Sequence, residues 1–409
     1  MLRWIIFIIL YLALGVYVLQ ALKTATRYPW VYYTYMALFF LVLGNFIYQF
    51  TFGAADGRVL SIAKSYAFGF LLTVLTFNLI TVVFLFSEDI FRFLSGAYQK
   101  LFGIDKTFTF PERRRFLSIV ALGIAAVPFG ALLFGMYKGK YNFKVLKYSL
   151  EFNDLPDAFD GYQITQISDV HSGSFDNREK IEYAIDLVNK QKSDVLFFTG
   201  DMVNNKSEEM LPWKDLFSTL EAKDGKFSVL GNHDYGDYID WNSEEEKQQN
   251  LKDLKKLQKE IGFDLLLNDS RYLKKGNDKI AIVGVENWGR GGFKKAGDLK
   301  KAVEKIDKND FKILLSHDPS HWEDVVLHDY DHYHLTLSGH THGMQFGIEI
   351  PGWIKWSPAK WRYTYWAGVY KELGQYINVN RGFGFLGYPG RVGIWPEITV
   401  ITLKKKNLG

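Results

Sequence analysis

Four stretches without a charged side chain dominate the first third of the chain: residues 4–22, 30–50, 66–86 and 117–137. As helices, runs of about twenty residues are long enough to cross the hydrocarbon core of a bilayer. None shows the amphipathic stripe that a buried helix of a soluble domain would need, so four transmembrane helices are expected. Tyr28, Trp30, Tyr66 and Tyr137 stand near their ends, where interfacial aromatics sit. No Asp, Glu, Lys, Arg or His lies inside a span. The helices therefore offer no carrier for protons or ions and read as an anchor. Pro128, in the fourth span, is tolerated in a membrane helix.

The pattern changes after residue 140. Residues 142–152 alternate like a first strand, and short apolar runs at 163–167, 194–198, 226–230, 264–267, 279–285, 311–315 and 334–338 read as further strands. Helical spacing fits 177–190, 212–220 and 244–261. Alternating strands and helices predict an α/β domain. The expected division is a membrane anchor over residues 1–140 and a soluble domain over 141–409, with no internal repeat and no low-complexity tract.

Five of these strands run directly into polar clusters: Ser168-Asp169-Val170-His171, Thr199-Gly200-Asp201, Gly231-Asn232-His233-Asp234, Ser316-His317-Asp318-Pro319 and Gly339-His340-Thr341-His342-Gly343. Ligands of α/β sheets bind beyond the carboxyl ends of strands. Clusters far apart in the chain can therefore meet in one place. If the last cluster stays extended, His340 and His342 face the same side and can ligate metal together. Gly339 and Gly343 would let the backbone turn on either side.

Composition narrows the function. Hydrophobic residues make up 48%, concentrated in the first third. A net charge of +4 without a dense basic stripe gives no reason to expect a nucleic-acid partner. The absence of cysteine excludes a disulfide framework, a thiolate metal site and a thiol nucleophile.

In order and residue type, Asp169-x-His171, Gly200-Asp201, Gly231-Asn232-His233-Asp234, His317 and Gly339-His340-Thr341-His342 resemble the calcineurin-like metallophosphoesterase superfamily. The resemblance spans roughly residues 143–403, and all five motifs are complete. Asn380-Arg381-Gly382-Phe383-Gly384 and Pro396-Glu397-Ile398 are similar to the tail of its membrane-anchored bacterial branch. Met344 departs from that branch, which often has a second glycine before Gln345. The resemblance implies a four-layer αββα sandwich and a metal-dependent phosphoric ester hydrolase. It implies Asp169, His171 and His342 on one metal, Asn232, His317 and His340 on another, and Asp201 bridging the two. Such chemistry needs an activated water and neutralised phosphoryl charge, and two metals about 3.5–4 Å apart supply both. Imidazole with carboxylate suits divalent Mn, Fe, Zn or Ni. The resemblance places His233 beside the leaving group, as a general acid. Asp234 is expected either to orient its ring or to cap a turn. Arg381 and Arg391 could hold substrate phosphate with forked donors, or bond structurally in a Gly-rich loop. His321, His328, His332 and His334 match no family position and are expected to be surface or strand residues.

The expected function is hydrolysis of a phosphodiester or pyrophosphate bond, in a lipid or envelope precursor, by a membrane-anchored dinuclear-metal phosphoesterase. Two alternatives stand beside it. One is a cytosol-facing pyrophosphatase of nucleotide-linked lipids; the other is a non-catalytic binding protein on the same fold, although such proteins usually have lost ligands. Membrane lipids are the expected partners. Trp353, Trp356, Trp361, Tyr363, Tyr365 and Trp366, with Lys355, Lys360 and Arg362, either dip into the headgroup region or cover a sheet edge.

Orientation is nearly balanced. Lys23, Arg27, Arg92, Lys100, Lys106, Arg113, Arg114 and Arg115 would lie on one side, and Arg3, Arg58, Lys64, Lys138, Lys140, Lys144 and Lys147 on the other. The Arg113–Arg115 triplet, directly before the fourth span, tips the count. It resembles an internal twin-arginine export signal; read instead as a plain basic anchor for the fourth helix, it would lie inside as well. The expectation is an integral protein of the bacterial cytoplasmic membrane with its catalytic domain on the outer face. No small-x-small cleavage site follows the span, so the domain should stay attached.

Overall fold

The computed structural model describes residues 2–53, 60–102, 111–350 and 352–406. Arg58 and Lys106, counted above toward orientation, lie outside the described residues. The chain divides into two units, one built from the helices up to Tyr137 and the other mainly from the residues that follow Lys138.

The first unit holds α1 (Leu2–Ala25), α2 (Pro29–Phe52), α3 (Ile62–Leu101) and α4 (Pro111–Tyr137). All four are long and apolar enough to cross a membrane. Their contacts use close approach and a few polar pairs, as expected where lipid removes the hydrophobic drive between helices. Tyr11 stacks on Phe39 at 4.4 Å. A Cβ on Gly15 would stand 2.4 Å from the Phe39 ring, so a larger residue there would displace that ring. Tyr35 Oη donates to Asn78 Oδ1 at 2.9 Å. α3 runs well beyond the expected span, and its extension carries Glu88 and Asp89. These carboxylates meet Arg114 at 3.0 and 2.5 Å. Part of the basic triplet before the fourth span is thus ion-paired.

The second unit opens with β1 (Lys144–Phe152), β2 (Gln163–Ile167), α5 (Arg178–Asn189), β3 (Val195–Phe198), α6 (Lys214–Ser218), β4 (Lys226–Ser228), α7 (Glu244–Ile261) and β5 (Asp264–Leu265). It continues with β6 (Asp269–Lys275), β7 (Asp278–Gly284), α8 (Leu299–Ala302), β8 (Lys312–Leu315), α9 (Ser320–Asp324) and β9 (Leu335–Ser338). The last strands are β10 (Ile348–Ile350), β11 (Ile354–Trp356), β12 (Gly368–Glu372), β13 (Gln375–Val379) and β14 (Glu397–Lys405). One sheet has the order β1-β14-β2-β3-β4-β5 and the other β12-β13-β9-β8-β7-β6. β2, β3 and β4 are parallel neighbours, as are β7, β8, β9 and β13.

Period-two alternation builds the layers. Ile164, Val195, Phe197, Ile280, Ile282, Ile313, Leu315, Leu335 and Leu337 point between the sheets and are buried. Leu196 and Phe198 point the other way, onto Ile181 and Ile185 of α5 and Leu254, Leu257 and Ile261 of α7. Val283 and Leu314 face Trp322 and Val326 on the far side. The result is the four-layer αββα sandwich. α7 has the expected ends: Ser243 accepts from the Glu246 N–H at its start, and Gly262 closes it at a φ of 98°. β6 and β10–β14 go beyond the strands expected from sequence. β6 reads Asp-Ser-Arg-Tyr-Leu-Lys-Lys, a mostly polar edge strand that hydrophobic patterning passes over.

A buried polar group ties the sheets together just below their carboxyl ends. Gln166 of β2 donates to the Ser338 carbonyl at 2.9 Å and to Thr199 Oγ1 at 3.0 Å, and accepts from Asn378 Nδ2 of β13 at 2.7 Å. Each buried partner left unmatched costs about 1–3 kcal/mol. Gln166→Leu keeps the volume roughly constant and removes all three bonds, although the Ser338 carbonyl keeps the Asn380 N–H at 2.8 Å and Asn378 Nδ2 keeps Thr399 Oγ1 at 3.3 Å. It should lower the melting temperature of the purified chain by several degrees in differential scanning calorimetry, and Gln166→Glu, whose buried carboxylate would face the Ser338 carbonyl without a donor, should not recover the loss.

Candidate metal centre

The five polar clusters follow β2, β3, β4, β8 and β9, so both sheets deliver them to one end. Asp201 lies where they meet. Its Oδ2 stands 3.1 Å from His317 Nε2 and 3.5 Å from His171 Nε2. On one side, His342 Nε2 is 3.0 Å from His171 Nε2 and 3.2 Å from Asp169 Oδ1. On the other, Asp201, His317 and His340 bring one potential ligand atom each within 4.8 Å of one another. Asp169, His171 and His342 form such a set, and so do His171, Asp201 and His233. Asp201 belongs to two of these sets, which is the position a bridging carboxylate needs.

The backbone here departs from the expected extended loop. His340 and His342 take φ of 70° and 50°, with Thr341 near-helical between them. The coiled loop sends the two imidazoles to different sets, not to one side. Asp169, His171 and Asp201 are also left-handed, at 53°, 47° and 60°. Non-glycine residues enter that region at a cost of about 1–2 kcal/mol each. The surrounding fold sustains this cost at five of the seven expected ligands, a pattern typical of functional sites. Two glycines make room. A Cβ on Gly339 would lie 2.2 Å from Asp169 Oδ2, and one on Gly231 would lie 2.2 Å from Asp201 Oδ1.

Asp234 has a different task from the ring-orienting one considered from sequence. Its carboxylate accepts the N–H groups of Asp201 at 3.0 Å, Met202 at 2.8 Å and Gly231 at 2.9 Å. It clamps the loops after β3 and β4 together and does not meet the His233 ring. Burial, reinforced by the charge on Asp201, pushes its pKa up to about 7. The His233 ring is held instead by the Asn204 carbonyl, 2.8 Å from Nδ1.

Second partners fix which nitrogen each imidazole presents. Nδ1 of His171 meets Asn204 Oδ1 at 3.1 Å, and Nδ1 of His317 meets the Thr199 carbonyl at 2.7 Å. Both leave Nε2 toward Asp201. His340 is reversed: its Nε2 faces Tyr363 Oη at 2.9 Å and Asp318 Oδ2 at 3.4 Å, which leaves Nδ1 for a ligand. Asp318 Oδ1 holds the Ser320 N–H and hydroxyl, the turn role expected for it, while its buried Oδ2 has no hydrogen-bond partner. Asn232 Nδ2 donates to Tyr238 Oη at 2.8 Å, and its buried Oδ1 has no partner. Asn204, Tyr363 and Tyr238 carry no motif of their own, and the roles of Asn204 and Tyr363 show only once the rings are placed.

Electrostatics favour cations at this centre. Burial keeps His171 and His340 below the ordinary imidazole range, hence neutral and able to donate lone pairs. Burial resists charge on Asp169 and Asp201, but facing imidazoles outweigh it. His342 and His317 hold Asp169, and His317 and His233 hold Asp201, below the usual carboxylate range. Burial resists charge on His317 as well, yet Asp201 against its Nε2 pushes its pKa up to about 10. Neutral His171 and His340, ionised Asp169 and Asp201 and the orphaned Asn232 oxygen fit a dinuclear metal site, where a cation would take the place of the proton that Asp201 holds on His317.

The two arginines sit differently from the metal residues. Arg381 is buried, with its fork taken by Glu349 at 2.6 Å and Glu397 at 2.5 Å. Arg391 is fully buried, donates to the carbonyls of Gly382 and Gly384, and stands 3.2 Å from His342 Nδ1. Burial pushes its guanidinium down to about 9. Both bond within the protein, the structural role that stood beside phosphate binding. His321 and His334 are also structural, meeting Ser316 at 2.9 Å and Asp154 at 2.7 Å. A mostly apolar cleft of about 310 Å³ adjoins the centre, lined by His342, Met344, Phe346, Leu386 and Tyr388. The aromatic segment divides: Tyr363, Tyr365 and Trp366 are buried, while Trp353, Trp356 and Trp361 are exposed.

Removing the bridging charge tests the assignment. Elemental analysis of the purified chain should approach two transition-metal ions per copy, and Asp201→Asn should lose most of them. Full retention in Asp201→Asn would remove the bridging role.

Comparison with known proteins agrees with this geometry. Residues 2–140 match the family described as probable calcineurin-like phosphoesterase, transmembrane domain, and residues 162–344 match calcineurin-like phosphoesterase. The uncharacterized metallophosphoesterase YkuE of Bacillus subtilis is 31% identical over 309 residues, covering 72% of this chain and 99% of that protein. An uncharacterized metallophosphoesterase of Aquifex aeolicus is 29% identical over 284 residues, covering 68% of this chain and 99% of that protein. A transmembrane protein with metallophosphoesterase domain from Danio rerio is 25% identical over 298 residues, covering 70% of this chain and 63% of that protein. The chain is an integral membrane member of the calcineurin-like metallophosphoesterases, a family of metal-dependent phosphoester hydrolases.

Proposed function

We propose that this phosphoesterase hydrolyses a phosphodiester or pyrophosphate bond in a lipid or envelope precursor, using two divalent ions from among Mn, Fe, Zn and Ni. The observation that carries the chemistry is Asp201 standing between imidazoles from both sheets. The apolar cleft beginning at His342 supports a substrate with an apolar part next to its phosphate.

Two divalent ions held here would activate water and neutralise phosphoryl charge. Asp169 and Asp201 cancel only part of that charge, and neutral Asn232 adds nothing, so the centre stays attractive to an anionic phosphate. Tyr363 and Asp318 hold the His340 ring, and Asn204 and Thr199 hold those of His171 and His317, so the ligands need little reorganisation. His233 keeps Nδ1 on the Asn204 carbonyl and offers Nε2 within the set formed with His171 and Asp201. Burial lowers its pKa, so Nε2 is unprotonated at neutral pH in the free protein. An anionic phosphate bound beside it favours the imidazolium, which can then protonate the leaving oxygen.

General acids contribute about 10²–10⁴-fold to such reactions. His233→Ala should therefore lower turnover at least about 100-fold for alkyl esters, and much less for activated aryl phosphates, with metal content unchanged. Equal losses for both classes would assign His233 to substrate positioning.

We further propose that the protein lies in the bacterial cytoplasmic membrane with residues beyond Tyr137 outside. The Arg113–Arg115 triplet before α4 supports this side, because positive residues within about 15–20 residues of a span carry most of the orientation signal. Reporters fused after Gly409, one active only outside and one only inside, read the side directly. Activity of the inside reporter alone would reverse the topology and favour the cytosolic nucleotide-lipid substrate.

A further inference from the structure

β10 and β11 pair only with each other, in the register Ile348↔Trp356, Glu349↔Lys355 and Ile350↔Ile354. A lone two-stranded hairpin is marginal in water, so what holds each face matters. Alternation puts Glu349 and Lys355 on one face. That face is tied to the domain: Glu349 holds Arg381, and Lys355 Nζ bonds the Ala367 carbonyl. The other face carries Ile348, Ile350, Ile354 and Trp356, all exposed. Trp353 (82% exposed) and Trp361 (80% exposed) extend it, and Trp361 meets Trp356 edge-on at 6.0 Å. At the base, Ser357 Oγ donates to the Gly343 carbonyl at 2.6 Å, one residue from His342. The domain thus fixes the polar face of the hairpin and holds its apolar face open beside the metal centre.

We propose that this apolar face docks into the headgroup–acyl boundary of a lipid bilayer. Three observations select lipid over another occupant. Tryptophans beside aliphatic side chains suit the bilayer interface, where amphipathic rings settle. Exposed Lys360 and Arg362 flank Trp361 in sequence, and between residues 344 and 366 three basic residues, Lys355, Lys360 and Arg362, stand against the single carboxylate of Glu349, a cationic excess suited to anionic lipids. The same chain carries four helices able to cross a membrane, so a bilayer is present at high effective concentration for every copy. Docking would set the metal centre where amphiphilic phosphates have their headgroups. That consequence rests on the lipid substrate proposed above; the docking itself does not.

The chain has no cysteine, so single cysteines can be labelled without background. Nitroxide labels at W353C, W361C and Y330C would be read in the full chain reconstituted into phosphatidylethanolamine–phosphatidylglycerol vesicles. Tyr330 is the aqueous reference, since it is 96% exposed and lies away from the hairpin in sequence. Collision with oxygen and with a water-soluble nickel chelate reports depth. Labels at 353 and 361 should favour oxygen, at a depth of about 5–10 Å as for interfacial elements, while the label at 330 favours nickel. A label at I350C, on the same face, gives a second reading if either tryptophan variant is lost, and metal content verifies folding independently of activity. Equal nickel access at all positions would overturn the proposal. Shielding of 353, 361 and 350 from both reagents would overturn it as well, in favour of a protein occupant. Neither result bears on hydrolysis, which is assayed separately.

Discussion

The carboxylate of Asp201 stands between imidazoles contributed by both sheets, and much of the second unit serves to hold it there. His317 comes from the loop after β8 and His171 from the loop after β2, so the sheets must not slide. Gln166 prevents that, bonding Ser338 and Asn378 of the opposite sheet one step below the site. Asp234 fixes the other degree of freedom. Three backbone N–H groups from two loops converge on one buried carboxylate, so the Asp201 and Asn232 loops move as a piece. A buried, unpaired carboxylate would be costly; here three N–H donors compensate it.

Much of this was legible in the sequence, because the signals involved are local and periodic. Short apolar runs located β2, β3, β8 and β9, and helical spacing located α7. The polar clusters after those strands then had to meet at one edge. Left-handed backbone was not legible. Asp169, His171, Asp201, His340 and His342 hold φ values that their residue types do not announce, and an extended reading of Gly339–Gly343 put two imidazoles together that in fact part company. Sequence spacing also could not separate the two roles open to Asp234. Both need a carboxylate next to His233, and only the positions of the Asp201 and Met202 amides decide between them. β6 and the hairpin escaped because one is a polar edge strand and the other has a single apolar face with no sheet above it.

The arginines show how a charge can belong to architecture beside an anion-binding site. A forked guanidinium near a predicted metal centre invites assignment to substrate phosphate. Arg381, however, has both ends of its fork filled by Glu349 and Glu397. Breaking such a buried pair strands a charge and costs about 3–5 kcal/mol. Arg381 joins β14, through Glu397, to β10, through Glu349, and so links a core strand to the hairpin. Arg391 stands behind His342 and Asp169, where a buried positive charge helps keep Asp169 ionised.

The hairpin follows the same period-two rule as the core strands, with a different outcome. In β3 or β8 both faces are covered, one by the opposite sheet and one by helices. In β10 and β11 the face with Glu349 and Lys355 is turned to the domain, and Ile348, Ile350, Ile354 and Trp356 on the other face stay 38–51% exposed. Water is a poor solvent for such a face, and the pairing of only three residues a side cannot offset much. Its stability in the folded unit must come from the tethers at Arg381, Ala367 and Gly343. Those tethers are spent on orientation, because a floppy loop could bury its isoleucines at lower cost by folding back. A rigid apolar face beside a metal centre makes physical sense when its complement lies outside the chain, and in a protein with four apolar spans the nearest extended apolar complement is the bilayer.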